Sequence, residues 1–240
     1  MVQTPAEKPY IRTLFFKPDI TVWYCRIPRL IRSIFSKTTY HTYKPMVNEI
    51  FKKEDFEPGV FHRDEMAAVN GFKAFKKQVE WLSGRYLAKQ LIRSRFLPDT
   101  PLDRICLGAL DEGAPFVRIL PDLPVSLSHS HDYTAVAVCD DRLRTIGIDL
   151  EKIRQKPDDG FMKTAFTRRE RSRMPDTAAS VFTHWTVKEA FLKYIKKGFH
   201  ESLHKVEIIN HTIWHHGKQL DLTIRSVNIT DEYVLSLVFD

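Results

Sequence analysis

The chain of 240 residues is 43% hydrophobic and 28% charged, a balance that excludes a disordered or low-complexity chain and leaves room for one large core or two small fused ones. Lys and Arg outnumber Asp and Glu by 37 to 30, a net charge of +7 that favours an anionic partner. No apolar stretch approaches the roughly 18 residues of a spanning helix, and MVQTPAEKPY at the start lacks the basic and apolar regions of a secretory signal.

Within the first 60 residues, the apolar run 20–25 reads as an opening strand and the rest gives no strong element. Between residues 64 and 96, Phe72, Phe75, Val79, Leu82 and Tyr86 recur at steps of three and four, which predicts a long helix with a break at Asn70-Gly71. Eight basic and three acidic residues fall in 62–96, and Arg85, Lys89 and Arg93 share one stripe of that helix. Such a stripe reads as a solvated face unless a phosphate site requires it. A loop with Gly113, Pro115, Pro121 and Pro124 precedes strands predicted at 124–130 and 134–139, joined by His131-Asp132-Tyr133, and a third strand at 144–153. A helix follows over 178–197, with Gly198 in the left-handed position that ends it. From residue 205 onward three alternating runs, parted by His215-His216-Gly217 and Thr230-Asp231-Glu232, predict a β-meander and an α+β class. Cys25, Cys106 and Cys139 are odd in number and far apart, so they read as small buried groups in a reducing, cytoplasmic setting.

The segment Thr145-Ile146-Gly147-Ile148-Asp149-Leu150-Glu151-Lys152 carries the first sign of chemistry. Strand alternation puts Ile146, Ile148 and Leu150 on one face and Gly147, Asp149 and Glu151 on the other. Two adjacent carboxylates repel and call for a cation, and oxygen ligands suit a hard ion such as Mg²⁺; an exposed strand with incidental acids explains them equally well. Trp185, Glu189 and Lys193 lie one turn apart, so a helix presents an aromatic, a carboxylate and an ammonium on one stripe, as a surface salt bridge also would.

Taken in order, Ser126-Leu127-Ser128-His129-Ser130, Ile146-Gly147-Ile148-Asp149-Leu150-Glu151 and Trp185-Thr186-Val187-Lys188-Glu189-Ala190-Phe191-Leu192-Lys193 resemble the 4′-phosphopantetheinyl transferase superfamily. Its pattern is G-I/V-D, a gap, and W-S/T-x-K-E-x-x-x-K, and here Asp149 and Glu189 are 40 positions apart. The resemblance spans residues 81–199, half the chain, and is loose over the first 60.

The resemblance implies Mg²⁺-dependent transfer of the phosphopantetheine arm of coenzyme A to a serine of an apo acyl or peptidyl carrier protein, releasing 3′,5′-ADP. By the same resemblance Asp149, Glu151 and Glu189 hold Mg²⁺ against the pyrophosphate, Lys193 adds a second positive charge there, and Lys188 supports the site or a phosphate. His129, with Ser128, matches a contact to the 3′-phosphate of coenzyme A. Arg85, in Ser83-Gly84-Arg85, matches a phosphate-facing basic residue. Phe166-Thr167-Arg168-Arg169-Glu170 resembles an F-S/T-x-x-E segment, which nominates Glu170 as general base, acting with Glu151 or a metal-bound water. Two positions depart from the family: Ala114-Pro115 replaces a basic residue before proline, and Glu80 replaces an upstream arginine, so Lys73, Lys76 or Lys77 are the substitutes. The length points to the surfactin-synthetase-activating type, a monomer of two similar α/β halves related by a pseudo-twofold axis, here 1–144 and 145–240.

His200-Glu201-Ser202-Leu203-His204 fits H-E-x-x-H, yet it follows Gly198 and runs at once into a β-like stretch, so the helix that a zinc protease motif requires is not expected. Two competing readings stand beside the transferase. A basic nucleic-acid-binding module would show salt-dependent affinity independent of Asp149 and Glu189, and a coenzyme A-binding relative without transferase activity would not need intact acidic ligands.

Overall fold

The computed structural model describes residues 10–34 and 60–240. Strands β1 (Ile11–Lys17), β2 (Ile20–Arg26), β5 (Val125–Ser130) and β6 (Tyr133–Cys139) form an antiparallel sheet in the order β1-β2-β6-β5. The short hairpin of β3 (Leu107–Ala109) and β4 (Pro115–Val117) stands apart from it. Helix α1 (Ile27–Ile34) follows β2 directly. The expected opening strand is β2. Its partner β1 was not legible, because an edge strand with mostly half-exposed side chains has no clean alternation. The rest of the first 60 residues, where no element was expected, lies outside the described residues.

The long helix is two pieces, α2 (Arg63–Asn70) and α3 (Phe75–Phe96), parted at Gly71. After the first sheet come β7 (Ile146–Lys152), α4 (Asp159–Ala165), α5 (Arg168–Arg171) and α6 (Ala178–Tyr194). The tail is not one meander. Strands β8 (Val206–Ile209), β9 (Thr212–His215) and β10 (Lys218–Gln219) make a small sheet of their own. Only β11 (Thr223–Thr230) and β12 (Tyr233–Phe239) join β7, in the order β11-β12-β7. The turn between β8 and β9 escaped the sequence because Asn210 and His211, with φ of 50° and 59°, close it without glycine.

The two larger sheets enclose a common core of Ile20, Val22, Ala137, Ile148, Leu235 and Leu237. Helix α3 covers the outer face of the first sheet through Leu87, Leu91 and Ile92 against Val136 and Val138. Helix α6 covers the second through Val187 and Phe191 against Val238 and the small sheet's Val206 and Ile208. Each fully buried apolar side chain contributes about 1.5–3 kcal/mol to such layers. Gly147 sets the last contact: a Cβ there would lie 2.0 Å from the Ala190 carbonyl oxygen and 2.4 Å from the Tyr194 nitrogen. Only glycine lets α6 press its backbone against β7.

Helix α6 stops short of the expected end. Lys196, at φ 58°, takes the left-handed position expected of Gly198. Its N–H bonds the Lys193 carbonyl at 3.0 Å while that of Lys197 bonds Leu192 at 3.2 Å, the paired closure of a helix C-terminus.

One construction occurs twice. In α2, Glu65 completes a capping box with His62 and accepts the Leu107 N–H, while buried Lys89 from α3 pairs with it and donates to the Val60 and Leu102 carbonyls. In α5, Glu170 completes a capping box with Thr167 and accepts the Ile208 N–H, while buried Lys188 from α6 pairs with it and donates to the Ala165 and Leu203 carbonyls. Each ammonium is thus fully engaged inside the protein. Lys89 therefore departs from the solvated stripe expected of Arg85, Lys89 and Arg93. All three cysteines are buried thiols, and no helix among the described residues is long and apolar enough to cross a membrane.

Candidate active site

Strand β7 pairs along one edge with β12 and meets β5 along the other. Alternation in Ser126-Leu127-Ser128-His129-Ser130 puts three hydroxyls on the side facing β7. Their oxygens accept the N–H groups of Ile148, Leu150 and Lys152 at 3.0, 3.2 and 3.2 Å. Side chains thereby satisfy a strand edge that would otherwise be orphaned. Two of the same hydroxyls turn their protons onto carboxylates, Ser128 to Asp149 Oδ1 at 2.7 Å and Ser130 to Glu151 Oε2 at 2.8 Å. The serine run therefore both joins the strands and aims two acids.

The third acid comes from α6. Close packing over Gly147 brings Glu189 beside β7, and one ligand oxygen from each of Asp149, Glu151 and Glu189 lies within 4.8 Å of the others. Lys193, one turn further, donates to Asp149 Oδ1 at 2.7 Å. Trp185, one turn back, hydrogen-bonds Glu151 through its indole N–H and packs edge-on against Phe161 and Phe166, which fixes that carboxylate from the apolar side.

The electrostatics follow from three acids facing one ammonium. Burial, and then the charge of Asp149, raise the Glu151 carboxyl above its ordinary range. Burial, with Asp149 and Glu151 adding to it and Lys193 opposing, pushes Glu189 up to about 8. Asp149 Oδ2 is buried with no hydrogen-bond partner, an arrangement that costs free energy unless something occupies that lone pair. A hard divalent cation fits this oxygen-only set: it would take the free Oδ2 together with oxygens of Glu151 and Glu189 and replace the proton that Glu189 otherwise retains.

Beside the cluster, a cleft of about 220 Å³ is bordered by Ala114, Pro115, Ser126, Lys193, Lys196 and Gly198. A second cavity of about 240 Å³ shares Lys196 and adds Arg142 and Arg144. Lys196 is thus common to both, in the left-handed position that ends α6.

The other expected site residues divide. His129 projects on the opposite side of β5 from the serines, its Nδ1 3.8 Å from Glu80 Oε2. Lost hydration and then the Lys193 ammonium hold its imidazole below the ordinary range, although 42% of the side chain stays exposed. Glu80 in turn pairs with Lys76 at 3.5 Å, so the departure at position 80 is answered by a lysine one turn away. Arg85 stacks its guanidinium 3.3 Å from the Trp81 ring centroid. Burial lowers it to about 10, and the groups that act on its charge are Glu65 and Cys106, not the three acids. Ser128 is buried, and its hydroxyl positions Asp149 and Leu150 instead of standing free for a coenzyme.

Glu170 and Lys188 lie apart from these acids and pair with each other. Neither joins the cluster. Glu170 Oε2 accepts the Lys188 ammonium and the Thr167 N–H, both at 2.8 Å, and Oε1 accepts the Ile208 N–H at 3.0 Å. The F-S/T-x-x-E segment forms a capping box with a buried counter-ion. Lys188 is correspondingly spent on Glu170 and two carbonyls. Ser126 and Ser130 escaped the sequence reading as positioning residues; their signal was a period-two serine run opposite a strand that carries acids. The H-E-x-x-H segment forms no continuous helix: His200 ends one short turn and His204 lies in the next.

Residues 145–238 match the sequence model of the 4′-phosphopantetheinyl transferase superfamily, a segment that contains Asp149, Glu151, Glu189 and Lys193. Over 141 residues the chain is 30% identical to the 4′-phosphopantetheinyl transferase psf-1 of Bacillus pumilus, covering 56% of this chain and 58% of that protein. Over 99 residues it is 34% identical to a 4′-phosphopantetheinyl transferase of Bacillus subtilis, covering 39% and 42%. An L-aminoadipate-semialdehyde dehydrogenase-phosphopantetheinyl transferase of Xenopus laevis is 29% identical over 143 residues, covering 52% and 46%. The chain thus spans about half the length of the curated relatives it matches.

Proposed function

We propose that this chain, matched over residues 145–238 by the 4′-phosphopantetheinyl transferase superfamily, transfers the 4′-phosphopantetheine arm of coenzyme A to a serine of an apo acyl or peptidyl carrier protein and releases 3′,5′-ADP. The observation that carries this reading is the convergence of Asp149, Glu151 and Glu189 around the unpartnered Asp149 Oδ2, inside the matched segment. A bound Mg²⁺ would neutralise charge on the pyrophosphate, the dominant demand in phosphoryl transfer.

The protein's own groups supply the remainder. Lys193 brings a second positive charge to the same place, from the rim of the adjoining cleft. With Lys196 it makes that cleft suited to the phosphates of coenzyme A, and Lys76 and Lys77, near the uncharged His129 imidazole, offer a basic surface for the 3′-phosphate. Arg85, stacked on Trp81, is the further basic residue we assign to a phosphate of coenzyme A. Glu151, held by the Ser130 hydroxyl and the Trp185 indole, is the group we assign to accept the proton of the carrier serine.

At the scale of the chain, the reading is a cytoplasmic monomer of two similar halves, 1–144 and 145–240, about a pseudo-twofold axis. The recurring Glu–Lys construction of Glu65 with Lys89 and Glu170 with Lys188 supports that duplication. The test is direct: protein, Mg²⁺ and coenzyme A are incubated with several apo acyl and peptidyl carriers, and intact mass is read for addition of one phosphopantetheine arm. No addition to any carrier would sink the proposal, whereas DNA or RNA affinity that persists in Asp149→Asn would favour the nucleic-acid-binding module.

A further inference from the structure

A second group of ligand-type side chains converges beyond the end of α6. Glu201 Oε2 receives two imidazoles, His215 Nε2 at 3.1 Å and His216 Nε2 at 3.4 Å, and the three ligand atoms lie within 4.8 Å of one another. Adjacent residues of a strand project to opposite faces, so two consecutive histidines would ordinarily diverge. They converge because His216 opens the two-residue turn between β9 and β10, with φ 50° at His216 and 75° at Gly217, the double left-handed geometry of a type I′ hairpin. Histidine in that first position is strained by about 1–2 kcal/mol relative to glycine. The strain is retained where it swings the second imidazole onto Glu201.

We propose that Glu201, His215 and His216 form a binding site for a transition-metal ion of the zinc class, separate from the three-carboxylate cluster. Two imidazole nitrogens and one carboxylate oxygen are the donor set of three-ligand zinc sites with an open fourth position. Bond lengths of about 2.0–2.2 Å in a tetrahedron place neighbouring ligand atoms about 3.3–3.6 Å apart. The two nitrogens already stand at 3.1 and 3.4 Å from the carboxylate oxygen.

The donor chemistry divides the two sites. Imidazole suits Zn²⁺, Cu²⁺ and Ni²⁺, while Mg²⁺ prefers the oxygen-only cluster. Access divides within the site: the Glu201 side chain is 9% exposed and that of His216 52%, so the carboxylate is shielded while the ion has an open side on which to enter and take a water. Phe191 packs edge-on against His215 at 5.2 Å and holds that ring in place. Lys197 lies 3.9 Å from the same Glu201 oxygen, but its exposed, flexible stem lets it withdraw. Gly198 lines the cleft beside Lys193, three residues before Glu201, so the ion would fasten the wall of that cleft to the β9–β10 hairpin.

The test uses the untagged full chain, stripped with a chelator and titrated at neutral pH with Co²⁺ and then Zn²⁺. One equivalent of Co²⁺ should give the visible absorption of a tetrahedral site, displaced by Zn²⁺, in the wild type and in Asp149→Asn. The bands should vanish in Glu201→Gln and in His216→Asn. Asparagine accepts the left-handed backbone, so His216→Asn keeps the hairpin, and its metal-free melting temperature should match that of the wild type. Absence of bands in the wild type, their survival in both ligand variants, or their loss in Asp149→Asn would each overturn the site. The readout does not involve carrier modification, so its failure is distinct from failure of the transferase reading.

Discussion

Ser128 shows how one small side chain serves two structures at once, accepting the Leu150 N–H and donating to Asp149 Oδ1. Ser128→Ala leaves the buried Leu150 N–H without a partner and Asp149 Oδ1 with Lys193 alone, so a loss of about 1–3 kcal/mol is expected in denaturant unfolding. Asp149 would also lose its aim, so the Mg²⁺ concentration for half-maximal transfer should rise; an unchanged Mg²⁺ titration would limit the hydroxyl to a stabilising role. Asp149→Asn removes the charge that the unpartnered oxygen carries and keeps the shape. Transfer should then be abolished with the circular dichroism spectrum retained, and full activity in that variant would remove Asp149 from the site.

Among the elements, α6 is held in place by what β7 lacks. A methyl group at position 147 would sit 2.0 Å from the Ala190 oxygen, and that atom is helix backbone, unable to rotate away. Gly147→Ala should therefore cost more than the about 1–3 kcal/mol of ordinary overpacking, and should displace Glu189 and Lys193 together; melting temperature and transfer rate report the two effects. Helix α5 is held by the Glu170–Lys188 pair. Glu170→Gln leaves a buried ammonium without its counter-charge, for which about 3–5 kcal/mol of destabilisation is expected. Its transfer rate per folded molecule should stay near that of the wild type. A rate that collapses while the melting temperature is unchanged would restore Glu170 as the base.

Over the molecule as a whole, the two sheets bring charges together that sequence distance keeps apart, and that convergence has a pH signature. Glu189 titrates near 8 in the folded protein and near 4.3 in an unfolded chain. Between those values the folded state binds the extra proton, so stability falls as pH rises through that window. Melting temperature in chelator should accordingly decline from pH 5 toward pH 8 by more than in Mg²⁺, because a divalent ion takes over the proton's role. Parallel curves with and without Mg²⁺ would mean that the cluster holds no ion.

Periodicity and spacing by themselves determined the mixed class, the second strand, the break at Gly71, the three central strands and the acidic face of β7, because each rests on residues within a few positions of one another. The assignments of Asp149, Glu151, Glu189 and Lys193 rested on motif order, and the folded chain brings those residues together. What only the tertiary structure decided was which charges are free to act. Lys89, Lys188 and Glu170 look like surface or catalytic groups in a linear reading, yet each is buried in an ion pair with a residue at least eighteen positions away. The resemblance made Ser128 a coenzyme contact, and the folded chain shows the serine run as a seam with β7, since an edge strand's need for hydrogen-bond partners is invisible until its neighbour is known. Likewise Glu201 was read with His200 and His204, while a left-handed turn at His216 gave it His215 and His216 instead. Local pattern specifies elements; burial and long-range pairing decide what the side chains on them are able to do.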